Sequence, residues 1–101
     1  EEALAAINEA VDVYRVLAGQ RPGVFLPDLA MTLNNLSVDL GNLGRHEEAL
    51  AAINEVVKIR RELARLRPHV HQRELDRSLQ LRSLLREEMK DSPGVRKSRT
   101  T

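Results

Sequence analysis

At 101 residues the chain is one domain at most, and with only Tyr14 and Phe25 as aromatics and no Trp its core must be aliphatic. The absence of cysteine excludes a disulfide framework and thiolate chemistry, which fits a reducing, cytoplasmic setting. No apolar run approaches the roughly 18 residues of a membrane-spanning helix. The chain opens at Glu1 without a Met and shows no signal peptide, so it reads as a segment of a longer protein.

The net charge of +1 conceals an asymmetry. Residues 1–57 carry nine acids against three arginines, a net −6, whereas residues 58–101 carry thirteen bases against six acids, a net +7. A basic half can attract nucleic acid. Here acids interleave the bases (Glu62, Glu74, Asp76, Glu87, Glu88) and no aromatic offers a stacking platform, so this half reads as a solvated helical surface without a nucleic-acid partner.

Periodicity predicts four helices and no strand. Over residues 2–18, Leu4, Ile7, Val11, Tyr14 and Ala18 step by three or four, the spacing of one helix face. Gly19 stops this segment, with Pro22 shortly beyond. Pro27 and Asp28 open the second helix, over 27–43, where Leu29, Leu33, Leu36, Leu40 and Leu43 form one stripe up to Gly44. The third covers 46–66, with Leu50, Ile53, Val57 and Leu63-Ala64 inward and Pro68 ending it. The fourth covers 71–90, and residues 92–101 read as a disordered basic tail. Short connections make neighbouring helices antiparallel hairpins, all within one helical region over 1–91.

The chain also repeats itself. Glu1-Glu2-Ala3-Leu4-Ala5-Ala6-Ile7-Asn8-Glu9 returns unchanged as Glu47–Glu55, an offset of 46 residues. The offset continues through Val11/Val57, Arg15/Arg61, Leu17-Ala18/Leu63-Ala64 and Arg21-Pro22/Arg67-Pro68. Such periodicity marks stacked supersecondary units, each burying an apolar face against its neighbour.

Within the second and third segments, Leu33-x-x-Leu36-Ser37-x-x-Leu40, Gly44, Ala49-x-x-x-Ile53 and Val56 resemble a tetratricopeptide repeat, whose pattern is W-x2-L-G-x2-Y, then A-x3-F, then P. Leu36, Gly44 and Ala49 match it. Leu33 stands for the Trp, Ser37 for the Gly, Leu40 for the Tyr and Ile53 for the Phe. The closing Pro comes about seven positions late against the family period of about 34 residues, which resembles the extended repeats of kinesin light chains and bacterial multi-repeat regulatory proteins.

The resemblance implies an all-α solenoid fragment with helices in the order B, A, B, A. It further implies a concave groove for a peptide or partner helix, lined by Asn34, Asn35, Val38 and Asn42 of one A helix and by Arg77, Gln80, Leu81, Leu84 and Glu88 of the next. Asn35 sits where carboxylate-gripping members also use Asn, although its counterpart one repeat on is Leu81. Leu36 and Leu40 should pack on the following B helix; their counterparts are Arg82 and Arg86, as a terminal cap requires.

Two functional readings follow: a protein-interaction module working through that groove, or a self-association element whose groove is filled by another copy. The opening helix lacks an A helix before it, so Leu4, Ile7 and Val11 are expected as an exposed homo-oligomer seam. No enzyme is indicated. Acid pairs such as Glu47-Glu48 are adjacent on a helix and diverge, and no nucleophile pairs with a base. His69 and His71 flank Val70 in what reads as a solvent-facing loop, with His46 remote, so neither a metal nor another cofactor is expected.

Overall fold

The computed structural model describes residues 2–90. It consists of four helices, α1 (Glu2–Gln20), α2 (Pro22–Asn42), α3 (His46–Leu66) and α4 (Pro68–Lys90), with no strand among the described residues. The expected tail, 92–101, lies outside them. No described helix is long and apolar enough to cross a membrane.

Two connections are a single residue long, and they are copies of each other. Arg21 adopts φ −139°, ψ 75° and Arg67 adopts φ −141°, ψ 75°. A residue before proline is pushed out of the helical region, and Pro at the first helical position forfeits only an N–H that has no partner there. Pro22 and Pro68 therefore end one helix and begin the next. The hydrogen bonds repeat as well: Arg21 N–H donates to the Leu17 carbonyl (2.8 Å) and Arg67 N–H to that of Leu63 (2.8 Å).

Three boundaries accordingly differ from the periodicity. Helix α1 runs through Gly19 to Gln20, because glycine in a helix weakens it without ending it. Helix α2 starts five residues before Pro27, which sits inside it and leaves the carbonyl of exposed Gly23 to solvent. Helix α4 starts at Pro68, so His69 and His71 lie in its first turn and not in a loop.

The α2–α3 turn is a Schellman motif. Arg45 N–H donates to the Leu40 carbonyl (2.9 Å) and Gly44 N–H to that of Gly41 (3.0 Å), with Gly44 at φ +78°. Leu43 is the cap residue, outside the helical stripe, and is exposed, contrary to the unbroken run of leucines.

The core is built twice. Val57 and Ala64 of α3 pack with Leu75 and Leu79 of α4, and their counterparts 46 residues earlier, Val11, Ala18, Leu29 and Leu33, lie together in the larger cluster between α1, α2 and α3. Helix α3 is covered on two sides: Ala49, Ile53 and Val56 are fully buried along with Val57. Ser37, also fully buried, donates its hydroxyl to the Asn34 carbonyl (2.7 Å), which lets α2 and α3 approach without a wasted polar group.

Leu4 and Val11 are buried within the chain and Ile7 packs against the same core, so these three do not form an exposed seam. The stripe that α1 shares with them is the one it turns toward α2 inside its own hairpin.

Candidate interaction face

Arg60 of α3 reaches both α2 and α4. Its guanidinium donates to the Ser78 hydroxyl (2.6 Å), to the Glu74 carbonyl (3.4 Å) and to Asn34 Oδ1 (3.5 Å), and it faces the Glu74 carboxylate at 3.8 Å. Burial lowers the Arg60 pKa from its ordinary value, opposed by the nearby Glu74 charge. Further along, a Cβ on Gly41 would stand 3.0 Å from a Leu85 methyl, so the lack of a side chain at Gly41 admits Leu85 against α2. At the end of this seam His46 bonds Glu88 (2.8 Å) across α3 and α4.

Opposite the buried side, α2 exposes Val24, Met31, Asn35, Val38 and Asn42, and α4 exposes Val70, Arg77, Gln80 and Leu84. Spacings of three, four and seven place each set on one stripe of its helix. Asn35, Val38 and Asn42 from the expected groove thus lie on one exposed stripe of α2, and Arg77, Gln80 and Leu84 on one exposed stripe of α4. Leu81 is half-buried in the seam against the core, and Asn34 is half-buried with its side chain committed to Arg60. Val24, Met31 and Val70 were not expected, although they continue the same stripes, Met31 by about one turn, Val70 by about two and Val24 by about three.

Arg60 itself escaped the sequence reading because a charged residue is not expected inside. The signal was its position, three residues beyond Val57 and three before Leu63 on the inward stripe. Its aliphatic stem lies along apolar surface while the head reaches hydrogen-bond acceptors.

The other side of the layer carries a trough of about 370 Å³ between α1 and α3, floored by Leu33, Leu36 and Leu40 of α2. Arg15 of α1 and Glu55 of α3 bridge it through two hydrogen bonds, Nη2 donating to Oε1 at 2.8 Å and Nη1 to Oε2. That bond and the Arg15 charge hold the Glu55 carboxyl below its ordinary pKa against the opposing effect of burial. No group of three or more His, Asp or Glu side chains among the described residues is placed to hold a metal ion. Comparison of the chain with protein-family models, with curated proteins and with solved structures finds no match.

Proposed function

We propose that the chain is a protein-interaction module of the tetratricopeptide type, taking an extended peptide or a helix along the outward face of α2 and α4. The carrying observation is the make-up of that face: Met31, Val38 and Leu84 alternate with Asn35, Asn42 and Gln80 on two helices that Arg60 touches in common. Amide side chains both donate and accept, so they pair with a ligand backbone whatever its sequence, while exposed aliphatics between them take side chains. These groups recognise rather than transform, and the reading assigns the chain no catalytic step and no cofactor.

The test is selection of peptides on the intact chain from a display library, followed by affinity measurement on face variants. Leu84→Asp should cost at least tenfold, because it sets a desolvated charge against an apolar contact. Asn35→Ala should cost roughly threefold to tenfold, the worth of one net hydrogen bond, with helicity unchanged in both. Selected peptides that bind both variants as tightly as the parent chain would refute the reading.

A further inference from the structure

We propose that the chain stacks head to tail on further copies of itself, the outward face of α1 in one copy docking beside α3 and α4 of the next. This surface is separate from the α2–α4 face, so the proposal stands or fails independently of the one above.

The template is inside the chain. The unit α1–α2 and the unit α3–α4 share their linker geometry, their hairpin core and their hydroxyl bonds: Thr32 donates to the Asp28 carbonyl (2.8 Å) as Ser78 does to that of Glu74 (3.1 Å). The operation relating the two units, applied once more, sets α1 of a second copy against the unit α3–α4 as α3 is set against the unit α1–α2.

The docking face has the sequence of one that the chain buries internally, although there it meets the leucine floor of α2 and here it would meet Arg82 and Arg86 of α4. Ala49, Ala52, Ile53 and Val56 of α3 are buried, whereas Ala3 and Ala6 are exposed and Ile7 and Ala10 half-buried at the matching positions of α1. The residues from Glu1 to Glu9 are identical to those from Glu47 to Glu55, so apart from Ala10 in place of Val56 this is the same surface without its cover.

Charge selects a second copy as the occupant. Across the internal junction Arg15 grips Glu55; shifted by one unit, the same positions are Arg61 and Glu9. Both are exposed, and neither has an ion-pair partner among the described residues. The trough floor Leu36 and Leu40 becomes Arg82 and Arg86 in the second unit, a pair that caps the stack against an apolar helix but suits one that brings an acid; the Arg82 pKa is lowered by burial and by the charges of Arg86 and Arg61. The acid at Glu9 would relieve this cluster, as the acidic first half and basic second half of the chain do more broadly. The junction between copies thus rests on charge alone where the internal one adds a leucine floor to its Arg15–Glu55 pair, and it weakens as salt rises.

Sedimentation of the full chain tests this. Assembly should grow with concentration at low salt and fall with added salt. Glu9→Arg and Arg61→Glu should each weaken it at least tenfold with helicity intact. An equimolar mixture of the two variants should reassemble, as should the chain carrying both changes, because either restores an opposite-charge pair across a heterologous junction. A monomer at low salt and high concentration would overturn the proposal, as would single variants that assemble like the parent or a mixture that stays dispersed. Assembly dissolved by Leu84→Asp but not by Glu9→Arg would overturn it too, in favour of a groove filled by another copy.

Discussion

Ile7 and Ile53 occupy the same position of the same nine-residue sequence, yet Ile53 is fully buried and Ile7 only half so. The difference lies in the neighbours. Helix α3 packs against α2 on one side and α4 on the other, whereas α1 packs mainly against α2 and reaches α3 through the Arg15–Glu55 pair. In a repeat architecture a residue's contribution to stability is set by its place in the stack as much as by its identity, and the two units of this chain provide the comparison with the sequence held constant.

Truncating the two isoleucines gives the largest expected effect. Ile53→Ala leaves a cavity among buried Val56, Leu33 and Ala49 and should cost about 3 to 4 kcal/mol, near the middle of the range for such deletions. Ile7→Ala removes a half-exposed side chain and should cost about 1 kcal/mol. Urea unfolding of both variants reads the gap directly; equal costs would mean that α1 is covered as fully as α3.

Arg60 and Tyr14 are the next matched pair: where the first hairpin has a half-buried tyrosine, the second carries a buried charge bonded to Ser78 and the Glu74 carbonyl. Arg60→Ala should cost about 2 kcal/mol through lost packing and unpaired Asn34 and Ser78 contacts. Arg60→Met, which fills the same space without a charge to desolvate, should stay within about 1 kcal/mol of the parent. If methionine proves as damaging as alanine, Arg60 stabilises the fold through its hydrogen bonds and not its stem.

Glycines come third. Gly44→Ala forces φ +78° on a residue with a Cβ and should cost about 1 to 2 kcal/mol. Gly19→Ala should stabilise by about 0.5 to 1 kcal/mol, since Gly19 lies inside α1 with nothing near an added Cβ. Opposite signs at two glycines, one before and one after α2, would confirm that only one of them ends a helix.

Much of this fold was legible in the chain itself. The apolar stripes marked all four helices, and Leu36, Leu40, Ile53 and Val57 are buried as their spacing required. What misled was treating Pro22 and Pro68 only as stops and taking Pro27, which lies inside α2, as a start. Pro22 and Pro68 also start helices, and that second role depends on the next segment's tertiary cover as much as on the dipeptide. The misplacement of Leu4, Ile7 and Val11 has a related cause: a helix in a stack has two apolar stripes, and spacing alone does not say which one the chain itself covers. The outward face was legible as positions, but Asn34 left it because its side chain is taken by a buried arginine, a contact between residues 26 apart in sequence.

The smallest effect concerns the acid that the two units share, Glu55 and Glu9. The bond from Arg15, reinforced by its charge, depresses the Glu55 pKa in the folded chain. A depressed carboxyl contributes stability that is present above the unfolded value, about 4.3, and is lost as pH falls through the lower folded value. The pair is substantially exposed, with Arg15 at 47% and Glu55 at 34%, so solvent screening holds the contribution to at most about 1 kcal/mol. Glu55→Gln should therefore destabilise the dilute chain slightly at pH 7 and flatten the acid limb of its stability profile. Glu9→Gln is the matched control for removing one acid from the same sequence, so the difference between the two profiles isolates the ion pair. The difference should shrink in high salt. Superimposable profiles for Glu55→Gln and Glu9→Gln would show that the bridge across the α1–α3 trough adds nothing to stability, leaving the α2 leucines to hold the two units together.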